Sequence, residues 1–352
     1  MSALERTELR IVSSGAGEPA AGAVADRAVF PRSWYMLCRS ADIPPGAVIA
    51  KELVGHPIVL FRTHAGKLHA LDAHCTHMGT HLGSGNVVGD CLRCPLHHWR
   101  YDGTGQCQGA KPGVGQRAWP VVEKYGGVMV FYGTVPLFDP PGFDGLPEEE
   151  LCTRVGRSVT IQCAWMGISS NAFDMRHLDA VHQRALRETP TVELLDPYRL
   201  RLKYVSRVTG HGLPDRVMKW LSDDHIRVCI TSWGGTGFTV ESRVGRQTSM
   251  LLLSLMPTRL QTREGGGEVN ILPLFVRRRK GVPFINWIGI RMASWLFTRF
   301  LEKDIAMMRG MRYRAPAVMG PDEEPLRSYL RFIEQLPKGA GGFAMEGTCG
   351  QE

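Results

Sequence analysis

Cys75-Thr-His-Met-Gly-Thr-His-Leu82 and Cys94-Pro-Leu-His-His-Trp-Arg-Tyr-Asp-Gly103 are the two stretches on which the reading of this chain turns. The first holds Cys75 and His77 at Cys-x-His spacing, the second Cys94 and His97 at Cys-x-x-His spacing. Two thiolates and two imidazoles in this alternation suit a [2Fe–2S] cluster with cysteines on one iron and histidines on the other. Neutral imidazoles then raise its reduction potential above that of an all-cysteine cluster. Zinc accepts the same residue types, but zinc fingers pair Cys with Cys and His with His, so the iron–sulfur reading is preferred. Glycine and proline in both loops let backbone N–H groups approach the bridging sulfurs. His81 and His98 are spare imidazoles of the same loops and read as packing or surface residues, because four ligands complete the set.

The 352 residues, 43% hydrophobic and 22% charged, have an ordinary globular composition and the length for two domains. Nine cysteines leave seven beyond the two ligands, an odd and scattered set that reads as reduced thiols of a cytoplasmic protein. Met1-Ser-Ala-Leu-Glu-Arg-Thr-Glu8 lacks the basic and apolar segments of a secretory signal. The net charge is +8. Lys and Arg are dispersed, however, and the densest run, Arg277-Arg-Arg-Lys280, reads as a solvated turn, so no nucleic-acid partner is expected. A basic surface instead favours encounter with an acidic electron-donor protein.

Residues 1–28 are rich in Ala, Gly and Glu and read as a flexible tail. Residues 29–137 pattern as all-β, with strands at 58–61, 68–71 and 128–132 and a turn at 102–105. A Pro- and Gly-rich linker spans 138–149, a second domain 150–336, and a flexible C-terminal tail 337–352. Within the second domain, 158–165 reads as a strand and 167–187 as helical. Strands are expected at 200–208, 225–232, 238–244 and 250–256, with a loop at 265–267. Residues 284–309 read as one long helix. Arg291 and Arg299 interrupt its apolar stretch, so it does not span a bilayer. It should be buried or line a pocket, with Phe284, Trp287, Trp295 and Phe297 as pocket or core candidates, and membrane contact is not expected.

The second informative segment is Asn171-Ala-Phe-Asp174-Met-Arg-His177-Leu-Asp-Ala-Val-His182. Asn171, Asp174 and His177 recur every three residues and would share one side of a helix. His177 and His182 stand five apart, so both can hold one metal only where the helix bulges or ends. Two histidines and a carboxylate on one face of an iron form the facial triad of Fe(II) oxygenases. The carboxylate must come from elsewhere, and Glu302 and Asp304 both remain open on the residues alone.

With these motifs the chain resembles the Rieske non-haem iron oxygenases. Within that family the stretch 91–107 is similar to the aminopyrrolnitrin-type arylamine oxygenases, and Cys75-x-His-Met-Gly with the Trp99 region is shared with the steroid-type hydroxylases and sterol desaturases. The resemblance implies an α+β chain, an N-terminal all-β Rieske [2Fe–2S] domain followed by a helix-grip (START-like) catalytic domain. It selects Asp304 as the third ligand beside His177 and His182. Gly79 and Pro95 stand where high-potential Rieske proteins carry a disulfide, which implies a lower-potential cluster. The family further implies a homotrimer in which Asp174 joins His97 of one subunit to His177 of the next, with Asn171 nearby in the catalytic machinery. Expected cofactors are one [2Fe–2S] cluster and one mononuclear Fe(II) per subunit, O2 as co-substrate, and electrons from NAD(P)H through a ferredoxin or flavin reductase. The substrate would be hydrophobic or aromatic, with N-oxygenation of an arylamine as the leading outcome. C–H hydroxylation, desaturation or demethylation of a polycyclic compound is the alternative, and a Rieske electron carrier without oxygenase activity the lesser one.

Overall fold

The computed structural model describes residues 29–108, 113–222, 225–245, 247–259, 267–279, 281–314, 316 and 319–340. The expected tail 1–28, and Gly265 and Gly266 of the expected loop, lie outside them. Three small antiparallel sheets build the first part of the chain. Trp34–Arg39 pairs with Gly127–Phe131, which pairs with Val121–Lys124. Val48–Leu53, His56–Arg62 and Leu68–Asp72 form the second, and Asn86–Val88, Cys91–Arg93, Arg100–Tyr101 and Cys107–Gln108 the third. Two tight hairpins have both central residues at positive φ, Val54-Gly55 and Tyr125-Gly126, the geometry that matches the twist of paired strands. Val59, Phe61, Leu71, Leu82, Leu92 and Tyr101 pack into a small core beneath the two cysteine loops.

The rest of the chain wraps one nine-stranded antiparallel sheet around a long helix. Its order is Leu151–Val155, Glu268–Arg278, Gln247–Arg259, Gly237–Val244, Ile226–Trp233, Arg199–Val208 and Arg184–Leu186. Val159–Ile161 and Thr191–Asp196 add at its margins. Five helices complete it: α1 (Trp165–Asn171), α2 (Met175–Ala180), α3 (Leu213–Leu221), α4 (Pro283–Met308) and α5 (Glu324–Gln335). Pro283 sits at the start of α4, where its missing N–H costs nothing. Ile290 and Phe297 seat that helix on Leu251 and Phe275 of the sheet. The two regions share a core, and Met36 N donates to Ser254 Oγ across it at 2.9 Å.

Four expectations change, the first being the strand expected at 158–165, which ends at Ile161 before α1 opens at Trp165. Residues 167–187 are not one helix: α1 ends at Asn171, α2 begins after Asp174, and Arg184–Leu186 is a strand. The break has a cause, since Asp174 Oδ1 accepts from Arg176 N and His177 N as a helix cap, and Phe173 is buried in a 4.4 Å stack on Tyr329. Arg277 and Arg278 close a strand rather than forming a turn, and Lys280 lies outside the described residues. The C-terminal tail expected from 337 begins with a strand, Lys338–Ala340, because the backbone of Val29–Pro31 offers it a partner; the remainder of that tail lies outside the described residues.

Candidate active site

The two cysteine loops repeat one backbone design. In the first, Cys75 N donates to Thr80 O and Gly79 N to Cys75 O; in the second, Cys94 N donates to Trp99 O and His98 N to Cys94 O. Gly79 and His98 occupy equivalent places, each four residues after its cysteine, and both have positive φ. A glycine takes that conformation freely, whereas His98 takes it at some steric cost. The result buries both cysteines (Cys75 3% exposed, Cys94 1%) and leaves His77 and His97 at the surface. The imidazole rings of His77 and His97 stand 4.6 Å apart, and His77 stacks on Trp99 at 4.4 Å. Sulfur inside and imidazole outside suits a [2Fe–2S] group with one iron toward each pair. The Tyr101 hydroxyl lies 3.0 Å from Cys75 Sγ and 3.1 Å from Thr76 Oγ1. Burial first, then the adjacent Cys75, push this phenol above its ordinary range, so it stays protonated and can donate toward the sulfur. Sequence reading did not assign Tyr101 this place. His81 is a packing residue, with Nδ1 accepting from Gly83 N at 3.0 Å.

The second donor set forms where α2 ends. Gln183 has φ +53, and that reversal turns His182 back toward α2. His177 Nε2 and His182 Nε2 then stand 3.1 Å apart, and Asp304 Oδ1 from α4 lies 2.8 Å from the first and 2.7 Å from the second. Edges of about 3 Å are those of an octahedral face around an ion roughly 2.1 Å from each donor. Three donor atoms of metal-ligating type thus converge on one point, the arrangement a cation requires. Burial opposes ionisation of Asp304, but the two histidines outweigh it and hold the carboxyl below its usual range. Burial likewise lowers His182, against the pull of Asp304, which favours the neutral ligating form. Asn171 Nδ2 reaches His177 Nε2 at 3.0 Å. The alternative carboxylate, Glu302, is exposed and paired with Arg299 at 2.7 Å, away from the histidines.

Comparison with known proteins bears on the region of the first donor set. Residues 33–125 match the family described as Rieske [2Fe-2S] domain, and that span contains Cys75, His77, Cys94 and His97. The chain contains a Rieske domain. Its relatives include the cholesterol 7-desaturase nvd of Bombyx mori, 30% identical over 175 residues that cover 45% of this chain and 36% of that protein. The oxygenase component of 3-ketosteroid-9-alpha-monooxygenase from Rhodococcus rhodochrous is 28% identical over 190 residues, 51% of this chain and 48% of that one. Aminopyrrolnitrin oxygenase PrnD of Pseudomonas fluorescens is 30% identical over 165 residues, 43% and 45%. The matched part is thus less than half of each of these relatives. Among solved structures, dicamba monooxygenase with non-heme iron and dicamba superposes with a TM-score of 0.66 at 17% identity, over 87% of this chain and 96% of that one. NdmA of Pseudomonas putida CBB5 with caffeine gives 0.65 at 15%, over 86% and 90%. These likenesses show the fold alone: a Rieske domain joined to a second, sheet-and-helix domain as in those two structures.

Between α4 and the sheet, the protein has a cavity of about 640 Å³ with Asn171, His177, His182 and Asp304 in its wall. The rest of the lining is mainly apolar, including Leu178, Ile230, Phe238, Leu253 and Phe297. Such a volume and lining suit a single mid-sized apolar molecule. Two features here had no sequence signal. Phe300, one turn before Asp304, lies flat on the His182 ring with centroids 3.5 Å apart. Buried Arg184 donates through Nη1 to His182 O at 3.2 Å, to Gln183 O at 3.3 Å and to Asp215 Oδ1 at 2.8 Å, clasping the strained turn that delivers His182. Phe297 lines the cavity as expected, whereas Phe284, Trp287 and Trp295 neither line it nor pack inside; all three are exposed.

Proposed function

We propose that this protein is a non-haem iron oxygenase that uses O2 and reductase-supplied electrons to oxidise a hydrophobic or aromatic compound. The observation that carries the proposal is the convergence of His177, His182 and Asp304 at an apolar cavity in a chain that also has a Rieske domain. Cys75, Cys94, His77 and His97 would hold the cluster, and His177, His182 and Asp304 the mononuclear iron. When bound, the cluster supplies electrons singly and the iron supplies a site for O2 activation.

The chain's own residues do the rest. His177, His182 and Asp304 would hold the iron in the cavity wall, where O2 and an apolar substrate could reach it. The apolar walls exclude water and fix the pose of the substrate, which decides the bond to be oxidised. Phe300 and the Arg184 clasp hold His182 in place. Asp174 caps α2 and so orients His177. In a homotrimer, the assembly proposed here, its carboxylate would also join His97 of the partner subunit to His177. The electrons would come from NAD(P)H through a ferredoxin or flavin reductase, in the cytoplasm.

N-oxygenation of an arylamine is the leading outcome, supported by the similarity to PrnD. Hydroxylation, desaturation or demethylation of a polycyclic compound is the second reading, favoured by the relatives named for steroid and cholesterol oxidation. The test is O2 uptake and product mass with a surrogate reductase, comparing arylamines with polycyclic substrates. Nitroso or nitro products would support the first reading, and oxygen gained or hydrogen lost at carbon the second. O2 uptake that no substrate stimulates would leave an electron carrier.

A further inference from the structure

The long helix faces the wrong way for its chemistry. On α4 the stripe Phe284, Trp287, Ile288, Arg291, Met292 and Trp295, spaced as one helical face, points to solvent, with Phe284 66% and Trp287 52% exposed. The opposite, buried face carries Asn286, Gly289, Ile290 and Ser294. A surface helix ordinarily does the reverse. Trp220 on α3, a helix lining the same cavity, is 84% exposed, and Leu213 at its start is exposed too. Ile285, Ile288 and Met292 both line the cavity and reach solvent, so the cavity opens within this patch.

The charges beside it have one prevailing sign. Arg278 and Arg279 lead into α4, Arg291 and Lys303 project from it, and Arg216 and Lys219 from α3, all exposed. Arg291 lies over the Trp287 ring at 4.3 Å. Among the described residues of these elements, the acidic groups are compensated: Asp215 pairs with Arg184, Glu302 with Arg299, and Asp304 faces the two histidines. A second copy facing the patch across a twofold axis would set these cations against their own kind. A surface of aromatic and aliphatic side chains rimmed by cations matches the interface of an anionic bilayer, where tryptophan settles at headgroup depth. None of the described helices is long and apolar enough to cross a membrane, so the contact lies in the plane of the interface.

We propose that the outer face of α4, with Trp220 and Leu213 of α3, docks this protein on an anionic lipid surface. The lipid contact stands apart from the oxygenase reading. With that reading added, it brings the cavity opening to the lipid, and the substrate class becomes a membrane-partitioned apolar molecule.

The test is flotation of the full, metal-loaded chain with phosphatidylcholine vesicles, with and without about one third phosphatidylserine. Flotation should occur with the anionic vesicles, weaken as salt is raised, and shift tryptophan emission to the blue. Phe284→Ser/Trp287→Ser/Trp295→Ser should lower apparent lipid affinity at least ~10-fold, with iron content unchanged. Lys219→Glu/Arg291→Glu, both at exposed positions, should remove the preference for anionic vesicles while iron content and thermal unfolding stay those of a folded chain. A wild-type chain that stays at the bottom of the gradient, or variants that float as it does, would overturn the proposal. So would sedimentation showing a wild-type assembly that the triple substitution breaks apart, since the occupant would then be a second copy. Each readout is independent of turnover, so failure here and failure of the oxygenase reading are told apart.

Discussion

His182 is held by three different forces at once: a metal-facing edge toward Asp304, a stacked face on Phe300, and a backbone carbonyl clasped by Arg184. Arg184→Met should remove the clasp and leave Asp215 buried without its partner, a loss of about 3–5 kcal/mol by chemical denaturation. The double variant Arg184→Met/Asp215→Leu should recover much of that stability yet still bind iron about 10–100-fold more weakly, because the carbonyls of His182 and Gln183 stay unbound. Iron affinity equal to wild type in the double variant would show that Arg184 only stabilises the fold. The cysteine and histidine candidates were legible in the sequence because their spacing is local and chemically specific, whereas Asp304 was separated from Glu302 only by the family resemblance. Phe300 and Asp215 were not, since what gives them meaning is contact across 31 residues or more, and Arg184, though close to His182 in sequence, is steered onto that turn by Asp215.

Elements were legible where one face alone is buried. The strands near 200–208, 226–233, 237–244 and 250–259 carry apolar runs, with Gly210, Gly234 and Gly245 just past the ends of the first three, and 284–309 is long and unbroken by proline beyond its first turn. The segment 167–187 was misread because its apolar content continues through a break made by a cap and by tertiary packing. Phe173 and Tyr329, stacked and fully buried, hold the α1–α2 corner against α5, and the Tyr329 hydroxyl donates to Gly235 O at 2.9 Å. Tyr329→Ala should therefore cost about 3–5 kcal/mol, and Tyr329→Phe, which only orphans that carbonyl, about 1–3 kcal/mol. Equal losses in thermal or urea unfolding would mean that the hydrogen bond, not the stack, secures the corner. The direction in which α4 faces was also hidden, since apolar residues occur on all its sides and sequence alone cannot say which side is covered.

The molecule is proposed to join two iron sites, and Asp174 is the residue where fold and assembly meet. Asparagine caps helices about as well as aspartate, so Asp174→Asn should keep α2, both metals and the fold, while turnover falls by orders of magnitude; alanine should lose about 1 kcal/mol of stability as well. Full turnover of the asparagine variant, with substrate and reductase saturating, would remove Asp174 from the path between subunits. The most direct measurement is iron and acid-labile sulfide per chain after anaerobic reconstitution, made on the wild type and on Asp304→Ala. Two separate centres predict about three irons and two sulfides in the wild type, falling to about two irons with sulfide and the visible cluster spectrum unchanged in the variant. Zinc in place of iron, or about two irons in both proteins, would contradict them.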